Sequence, residues 1–190
     1  MLADNKLDAV VITSPASIAW LFNIRGGDVS RTPLPLGRAF LFSDGQAELF
    51  LHPAKIGSEL GQHLGNEVAL RPANEMERRM AKLQGKRVSV DPALASSWFF
   101  NALTKNGAET VRQQDPVTLP RAKKNAVEIE GSRKAHRRDG AALSRFLRWF
   151  DQNGQTGEVT EIDAARKVEE FREATGELKD LSFNSISSAG

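Results

Sequence analysis

At 190 residues and 40% hydrophobic, the chain is long enough for one large domain, or one domain and part of another, and apolar enough to bury a core. Its 26 Lys and Arg against 24 Asp and Glu leave a formal charge of +2, a near balance that argues against a dedicated nucleic-acid or membrane-surface protein. It has no cysteine, which excludes disulfides, thiolate zinc sites and cysteine nucleophiles and suits a reducing cytoplasm.

No apolar run reaches the roughly 18 residues that a bilayer-spanning helix needs. Acidic residues precede the first apolar run, so no signal peptide is expected. Leu7 to Thr13 is short, apolar and β-branched, and reads as a buried strand closed by Ser14-Pro15. Ser17 to Phe22 reads as a short helix leading into a glycine loop, Asn23 to Asp28, and a Pro-containing stretch to Pro35. Arg38–Ser43 and Gln46–Leu51 read as a hairpin around Asp44-Gly45, a turn that expects positive φ at both central residues. Pro53 to Leu64 reads as a helix with Ile56, Leu60 and Leu64 on one face. Next come a strand over Asn66–Leu70, a helix over Asn74–Leu83 capped by Asn74, and a strand over Lys86–Val90. A helix starting at Asp91-Pro92 and reaching about Thr104, then a strand over Ala108–Val111, complete the series. Strands alternating with helices, with one hairpin among them, predict an α/β layer fold built on a mixed sheet.

Gln113 to Lys124 carries two prolines and a basic cluster and reads as a domain boundary. Beyond it the texture changes to long amphipathic helices. One runs from Asn125 to about Gln152, with Leu143, Phe146, Leu147 and Phe150 at helical spacing. Thr160 caps another, with Asp163 in a capping box and Ala164, Val168 and Phe171 on its apolar face. Ser182 to Ile186 alternates polar and apolar residues, so a strand is expected there, handing over at Ser188-Ala189-Gly190 to a loop. The chain thus reads as cut where a second domain begins, and residues 119–190 are expected to dock against the first domain or a second copy, or to be poorly ordered.

Residue types alone do not give a reaction. The run from Arg121 to Arg148 holds nine Lys and Arg against Glu128, Glu130 and Asp139, and reads as a solvated helix face sooner than as a nucleic-acid surface. His52, His63 and His136 form no metal-binding spacing and read as packed or hydrogen-bonded histidines. The glycine loop matches no phosphate-binding pattern. Arg25 and Asp28 could line a cleft and meet an anion or an amine, or the glycines could serve only a tight turn with Arg25 paired to a carboxylate.

Four segments in order carry a resemblance. They are Ser17 to Gly26 with Asp28-Val29; Lys124-Asn125 with Glu128, Glu130-Gly131, Arg133, Ala135-His136 and Asp139; Thr160-Glu161-Ile162 with Glu169 to Arg172; and Leu181-Ser182-Phe183 with Ile186 to Gly190. Together they resemble the Xaa-Pro aminopeptidase (aminopeptidase P) branch of the creatinase/prolidase "pita-bread" metallopeptidases, from about residue 7 to the end. Ala16, where the family often has Asp, and Ser30-Arg31, where Pro often follows, depart from the pattern in the loop.

The resemblance implies a creatinase-N-like middle domain over residues 1–118 and the first helices and strand of a pita-bread catalytic domain over 119–190. It implies a cytoplasmic parent enzyme that removes the N-terminal residue from short peptides with proline in second place. Two divalent ions, usually manganese, would generate its attacking hydroxide. The family's metal ligands come after Gly190, so this chain is expected to bind no metal, to hold no catalytic residue and to be inactive alone. Arg25 and Asp28 would at most shape the rim of the substrate cleft. No nucleic-acid or membrane partner is expected. A homo-oligomer, a non-catalytic interaction module on the same fold and an inactive homologue all stay open.

Overall fold

The first apolar run forms strand β1 (Ala9–Ile12), and all four of its residues are buried. They alternate between two cores: Ala9 and Val11 pack on one face of the sheet, Val10 and Ile12 on the other. A strand covered on both faces has no polar side to show, which is why the run is continuously apolar. The computed structural model describes residues 2 and 4–188, and contacts divide the chain into two compact units, Met1–Lys123 and Lys124–Gly190.

The first unit is a six-stranded sheet in the order β4-β3-β2-β1-β5-β6. Its other strands are β2 (Gly37–Phe42), β3 (Ala47–Leu51), β4 (Val68–Pro72), β5 (Arg87–Val90) and β6 (Glu109–Arg112). Strand β1 pairs antiparallel with β2 (Ala9 opposite Phe42) and parallel with β5 (Ala9 beside Val88). Strands β3 and β4 are parallel, as are β5 and β6, so only β2 runs against the rest. The sheet is mixed, as the alternating strands and helices predict.

Each face has its own helices. Helix α1 (Pro15–Leu21) buries Ile18 against Val10, Ile12, Ala39 and Leu49, and α2 (Ser58–Leu64) adds Leu60 and Leu64 to that core. On the opposite face α3 (Met76–Met80) contributes Met76 and Met80, and α4 (Ser97–Lys105) contributes Phe99, Ala102 and Leu103, around Val11, Phe40, Phe50, Val88 and Val90. A short helix, α5 (Thr118–Ala122), packs on α1 at the end of this unit.

Local differences from the sequence reading have local causes. At the β2–β3 turn only Gly45 has positive φ (90°); the Asp44 carboxylate accepts from the Gln46 amide instead. The segment from Pro53 splits into a 3-10 turn (Pro53–Lys55) and α2, because His52 Nδ1 accepts from Ala54 N and the chain is extended at Ile56 and Gly57. Asn74 lies inside a 3-10 turn (Ala73–Glu75) and caps nothing. Asp91 does not start α4: its Oδ1 accepts from Ala93 N and its Oδ2 from Asp115 N, which clamps a turn, and the helix begins six residues later at Ser97.

One buried charge cluster ties α3 to the sheet. Leu49 and Ala47 point into one core, so Glu48 points to the other face beside Phe50, where it is buried. Arg79 of α3 grips it twice, Nε donating to Oε2 at 2.9 Å and Nη2 donating to Oε1. Arg71 of β4 lies 3.0 Å from Oε1 through Nη2, and its Nη1 reaches Glu75 at 3.6 Å. Two guanidiniums on one desolvated carboxylate form charge-assisted, bidentate bonds of the strong kind.

The second unit has α6 (Ala126–Asn153) and α7 (Glu161–Glu173) packed together. Both begin with a reciprocal capping box: Thr160 with Asp163, as the sequence predicts, and Asn125 with Glu128, which the structure adds. Ala142, Ala164 and Val168 are buried in this unit, and Arg172 Nε holds Asp139 at 2.7 Å. The stripe expected to be the apolar face of α6 is largely uncovered: Leu147 is 57% exposed, and Leu143 and Phe150 are exposed beside it. The strand expected over Ser182–Ile186 is not formed. No strand lies among the described residues of this unit to complete its backbone hydrogen bonds, and Phe183 and Ile186 point to solvent. The Ala189-Gly190 part of the expected loop lies outside the described residues.

Replacing Glu48 with Ala should destabilise the first unit by about 3 kcal/mol, because Arg79 loses its carboxylate and Arg71 keeps only Glu75. Urea denaturation measures it. A loss below about 1 kcal/mol would mean that the cluster behaves as a solvated surface network.

Candidate functional site

The glycine loop opens where α1 stops, and the stop is a Schellman motif. Asn23 takes the left-handed conformation (φ 49°), its N–H donates to Trp20 O at 3.3 Å, and Ile24 N–H donates to Ala19 O at 3.1 Å. Ile24 is buried against the core that holds Ile18, the apolar contact that accompanies this cap. Asparagine is the residue after glycine most tolerant of that backbone, so Asn23 and Ile24 both follow from local physics.

Arg25 completes the stop. Its Nη1 donates to Ala19 O in the last helical turn at 3.2 Å and to Ile24 O just beyond it at 2.9 Å, placing a cation at the helix C-terminus. Where the sequence offers a carboxylate as the partner of Arg25, the structure gives it carbonyls. Gly26 follows because the two arms of the loop touch: a Cβ there would sit 2.7 Å from Pro35 Cα. Neither Gly26 nor Gly27 has positive φ, so close approach, and not turn geometry, is what Gly26 supplies.

Asp28 ties the far arm. Its Oδ2 accepts from Leu36 N at 2.7 Å and its Oδ1 pairs with Lys55 Nζ at 2.5 Å; Lys55 also donates to Leu36 O. The Lys55 hydrogen bond, then the Leu36 amide, hold the Asp28 carboxyl below its ordinary value. Arg25 and Asp28 thus both brace the loop, from opposite ends, and are not brought onto one another. The surface they present carries exposed Trp20, Val29 and Leu36.

Sequence reasoning missed Arg31. Thr32 N–H bonds Val29 O at 3.1 Å, and Arg31 stands third in that turn with φ 59°, a backbone region rarely used by long side chains. Its Nη1 is buried without a hydrogen-bond partner in the structure. Only the tertiary setting reveals this, since nothing in an Arg-Thr-Pro sequence announces a left-handed residue.

The histidines fall out as hydrogen-bonded groups. His63 Nε2 lies 3.1 Å from Phe22 O, and His136 Nδ1 lies 2.8 Å from Ser132 O on its own helix; His136 is exposed, not packed. Among the described residues no group of three or more His, Cys, Asp or Glu side chains could hold a metal ion. No helix is long and apolar enough to cross a membrane, again among the described residues.

Residues 1–128 match the family described as the creatinase/prolidase N-terminal domain. A protein of Leptosphaeria maculans, named a probable Xaa-Pro aminopeptidase P, is 35% identical over all of this chain and 33% of its own length. The X-prolyl aminopeptidase of Caenorhabditis elegans, a cytosolic enzyme with a di-nuclear active site, superposes with TM-score 0.86 and 26% identity over 98% of this chain and 31% of its own. The prolidase of Pyrococcus furiosus shares the fold, with TM-score 0.61 and 18% identity over 92% of this chain and 47% of its own. The chain spans about a third of the length of the curated relative it matches.

Two measurements test the loop. Gly26→Ala should lower stability, since Pro35 backbone must move, and it should shift amide resonances of residues 24–36. For Asp28 the sign is set by its lowered folded value: the stabilisation is fully present above the ordinary value of 3.8 and is lost as pH falls through the folded one. The urea midpoints of wild type and Asp28→Asn should therefore differ most from neutral pH down to about 5 and converge below 3.8. A gap that stays constant through acid pH removes the Lys55 pairing as its cause.

Proposed function

The chain belongs to the creatinase/prolidase family, and on that premise we propose that it is part of a metal-dependent Xaa-Pro aminopeptidase, which removes the N-terminal residue from short peptides with proline in second place. The observation that carries the reading is the fold of nearly the whole chain on a third of the C. elegans X-prolyl aminopeptidase. The proposal places residues 1–118 as the creatinase-N-like middle domain and 119–190 as the first helices of the pita-bread catalytic domain. The parent enzyme is read as cytosolic, in line with the C. elegans protein.

A di-nuclear metal centre does not fit the side chains of this chain. The described residues offer no cluster of donors, and the three histidines lie on separate elements, two of them bonded to backbone carbonyls. The reading therefore assigns both ions, manganese in the proposal, to other parts of the parent protein, and no catalytic step to this chain. What this chain supplies is shape. Arg25 and Asp28 act as positioning residues: they hold a loop whose exposed Trp20, Val29 and Leu36 are proposed as part of the cleft rim.

A fluorogenic Xaa-Pro peptide and a manganese titration test this. The 190-residue chain should show no turnover and no stoichiometric metal binding; the longer protein that contains it should cleave the peptide, and chelation should stop it. Turnover by the short chain would overturn the placing of the metal site, and an inert, metal-loaded parent would overturn the peptidase reading.

A further inference from the structure

We propose that the first unit carries a binding site for a zwitterion, an amino acid or short peptide bearing both a carboxylate and an ammonium group, in the crevice at the carboxyl ends of β1, β5 and β6. The topology makes the crevice. These three neighbouring strands run parallel, so their carboxyl ends lie together at one end of the sheet. The chain leaving β1 goes to the face of Ile18, and the chain leaving β6 reaches the same face through Val117 and α5, which packs on α1. The chain leaving β5, between them, goes to the opposite face, where α4 buries Phe99 and Leu103. Connections that part in this way leave a gap between the departing segments, the place where open α/β sheets take ligands. The gap has a volume of about 410 Å³, within the range of small-molecule sites.

Its charges balance. Arg112, Arg121 and Asp91 line it, and Asp115 is bonded to Asp91, its N–H donating to Oδ2 at 2.7 Å. Two cations and two anions leave no net charge to select an anion or a cation. The crevice offers separated opposite charges instead. Arg112 lies in register with Val90, which is buried in the core under α4, and its Cζ stands 4.7 Å from the centre of the Phe100 ring on that side. Stacking holds the guanidinium while leaving its N–H fork free: Arg112 makes no ion pair and no side-chain hydrogen bond among the described residues. Arg121 is already engaged by another group, so it adds charge and no free fork. Asp91 follows Val90 and bonds toward the opposite face, to the segment that carries Val117 into the other core. Each of its oxygens accepts one amide, Ala93 N on Oδ1 and Asp115 N on Oδ2, and a carboxylate oxygen has a second lone pair for another donor. Asp115 is buried too; its Oδ1 accepts from Val117 N, and its Oδ2 has no hydrogen-bond partner in the structure. Buried carboxylates with acceptor capacity unspent favour the arrival of a donor. A free guanidinium fork toward one face and these carboxylates toward the other suit the two ends of a single zwitterion. The Ser14 and Thr118 hydroxyls also line the crevice and can bond the peptide group of a short peptide.

The inference stands apart from the peptidase reading: the crevice lies wholly within the first unit. It is tested by titrating the 190-residue protein with glycylglycine and, separately, with glycine, followed by amide NMR at low ionic strength. Saturable shifts should concentrate at residues 14, 91–94 and 112–118. N-acetylglycylglycine, which lacks the ammonium, and glycylglycinamide, which lacks the carboxylate, should each bind at least about tenfold more weakly, the usual size of a charge-assisted bond. These capped ligands act on the wild-type protein, so the test does not depend on a variant that folds. Arg112→Gln should weaken glycylglycine by a similar factor and leave glycylglycinamide unchanged, because that side chain meets only the carboxylate. Arg78→Gln, on an exposed arginine elsewhere, should bind as wild type. Saturation by glycine as well as glycylglycine identifies an amino-acid ligand, and saturation by glycylglycine alone a peptide. No saturable shift with either, capped analogues that bind as tightly as glycylglycine, or full-strength glycylglycine binding by a folded Arg112→Gln would overturn the proposal.

Discussion

The first unit depends on a four-residue strand buried on every side. Strand β1 has β2 hydrogen-bonded along one edge and β5 along the other, and a separate apolar core against each face. Its position divides the sheet. On the β2 side the chain turns back on itself as a hairpin, and on the β5 side it continues by parallel crossovers. Removing water from both faces leaves β1 little tolerance for a polar group, since apolar burial contributes ~25 cal/mol per Å². The helices can be distributed over two faces because β1, with β2 and β3 beside it, supplies apolar side chains to both.

Where the apolar cover runs out, specific polar contacts take over. At the β3–β4 end of the sheet, a buried carboxylate gripped by Arg71 and Arg79 ties α3 to the sheet beside Phe50. At the other end of the hairpin the glycine loop contains little core of its own. A Schellman cap, the Arg25 guanidinium on the Ala19 and Ile24 carbonyls and the Asp28–Lys55 pair hold it instead. These contacts set where the exposed surface of Trp20, Val29 and Leu36 lies. The second unit shows the contrary case. Its two long helices begin in capping boxes, yet small side chains make up most of its buried set among the described residues and a row of large apolar ones on α6 stays uncovered.

Much of this was legible along the chain, and the exceptions share a cause. All six strands and both long helices sit within a few residues of where periodicity places them, because period and capping are local properties. Thr160 with Asp163 needed only a spacing of three. Asp91 misled because a helix cap and a clamp on a distant backbone amide use the same side chain, and Asp115 N is 24 residues away. The alternating Ser182–Ile186 segment misled because alternation says which side chains would share a face, while a strand exists only when another strand accepts its hydrogen bonds. Arg25 and Asp28 were found by residue type, but type could not say that both turn inward to backbone and Lys55.

By itself the sequence determined the class of the fold, the positions of the six strands and two long helices, the Thr160 cap, and membership of a family recognised by ordered motifs, since each is written in residues close together or in fixed succession. Only the tertiary structure decided the order of strands in the sheet, the buried Glu48 cluster, the left-handed Arg31 and the crevice where β1, β5 and β6 end. Each of those brings together groups far apart in the chain, and whether such groups meet is settled by the packing of two cores around one strand and by no short stretch of residues.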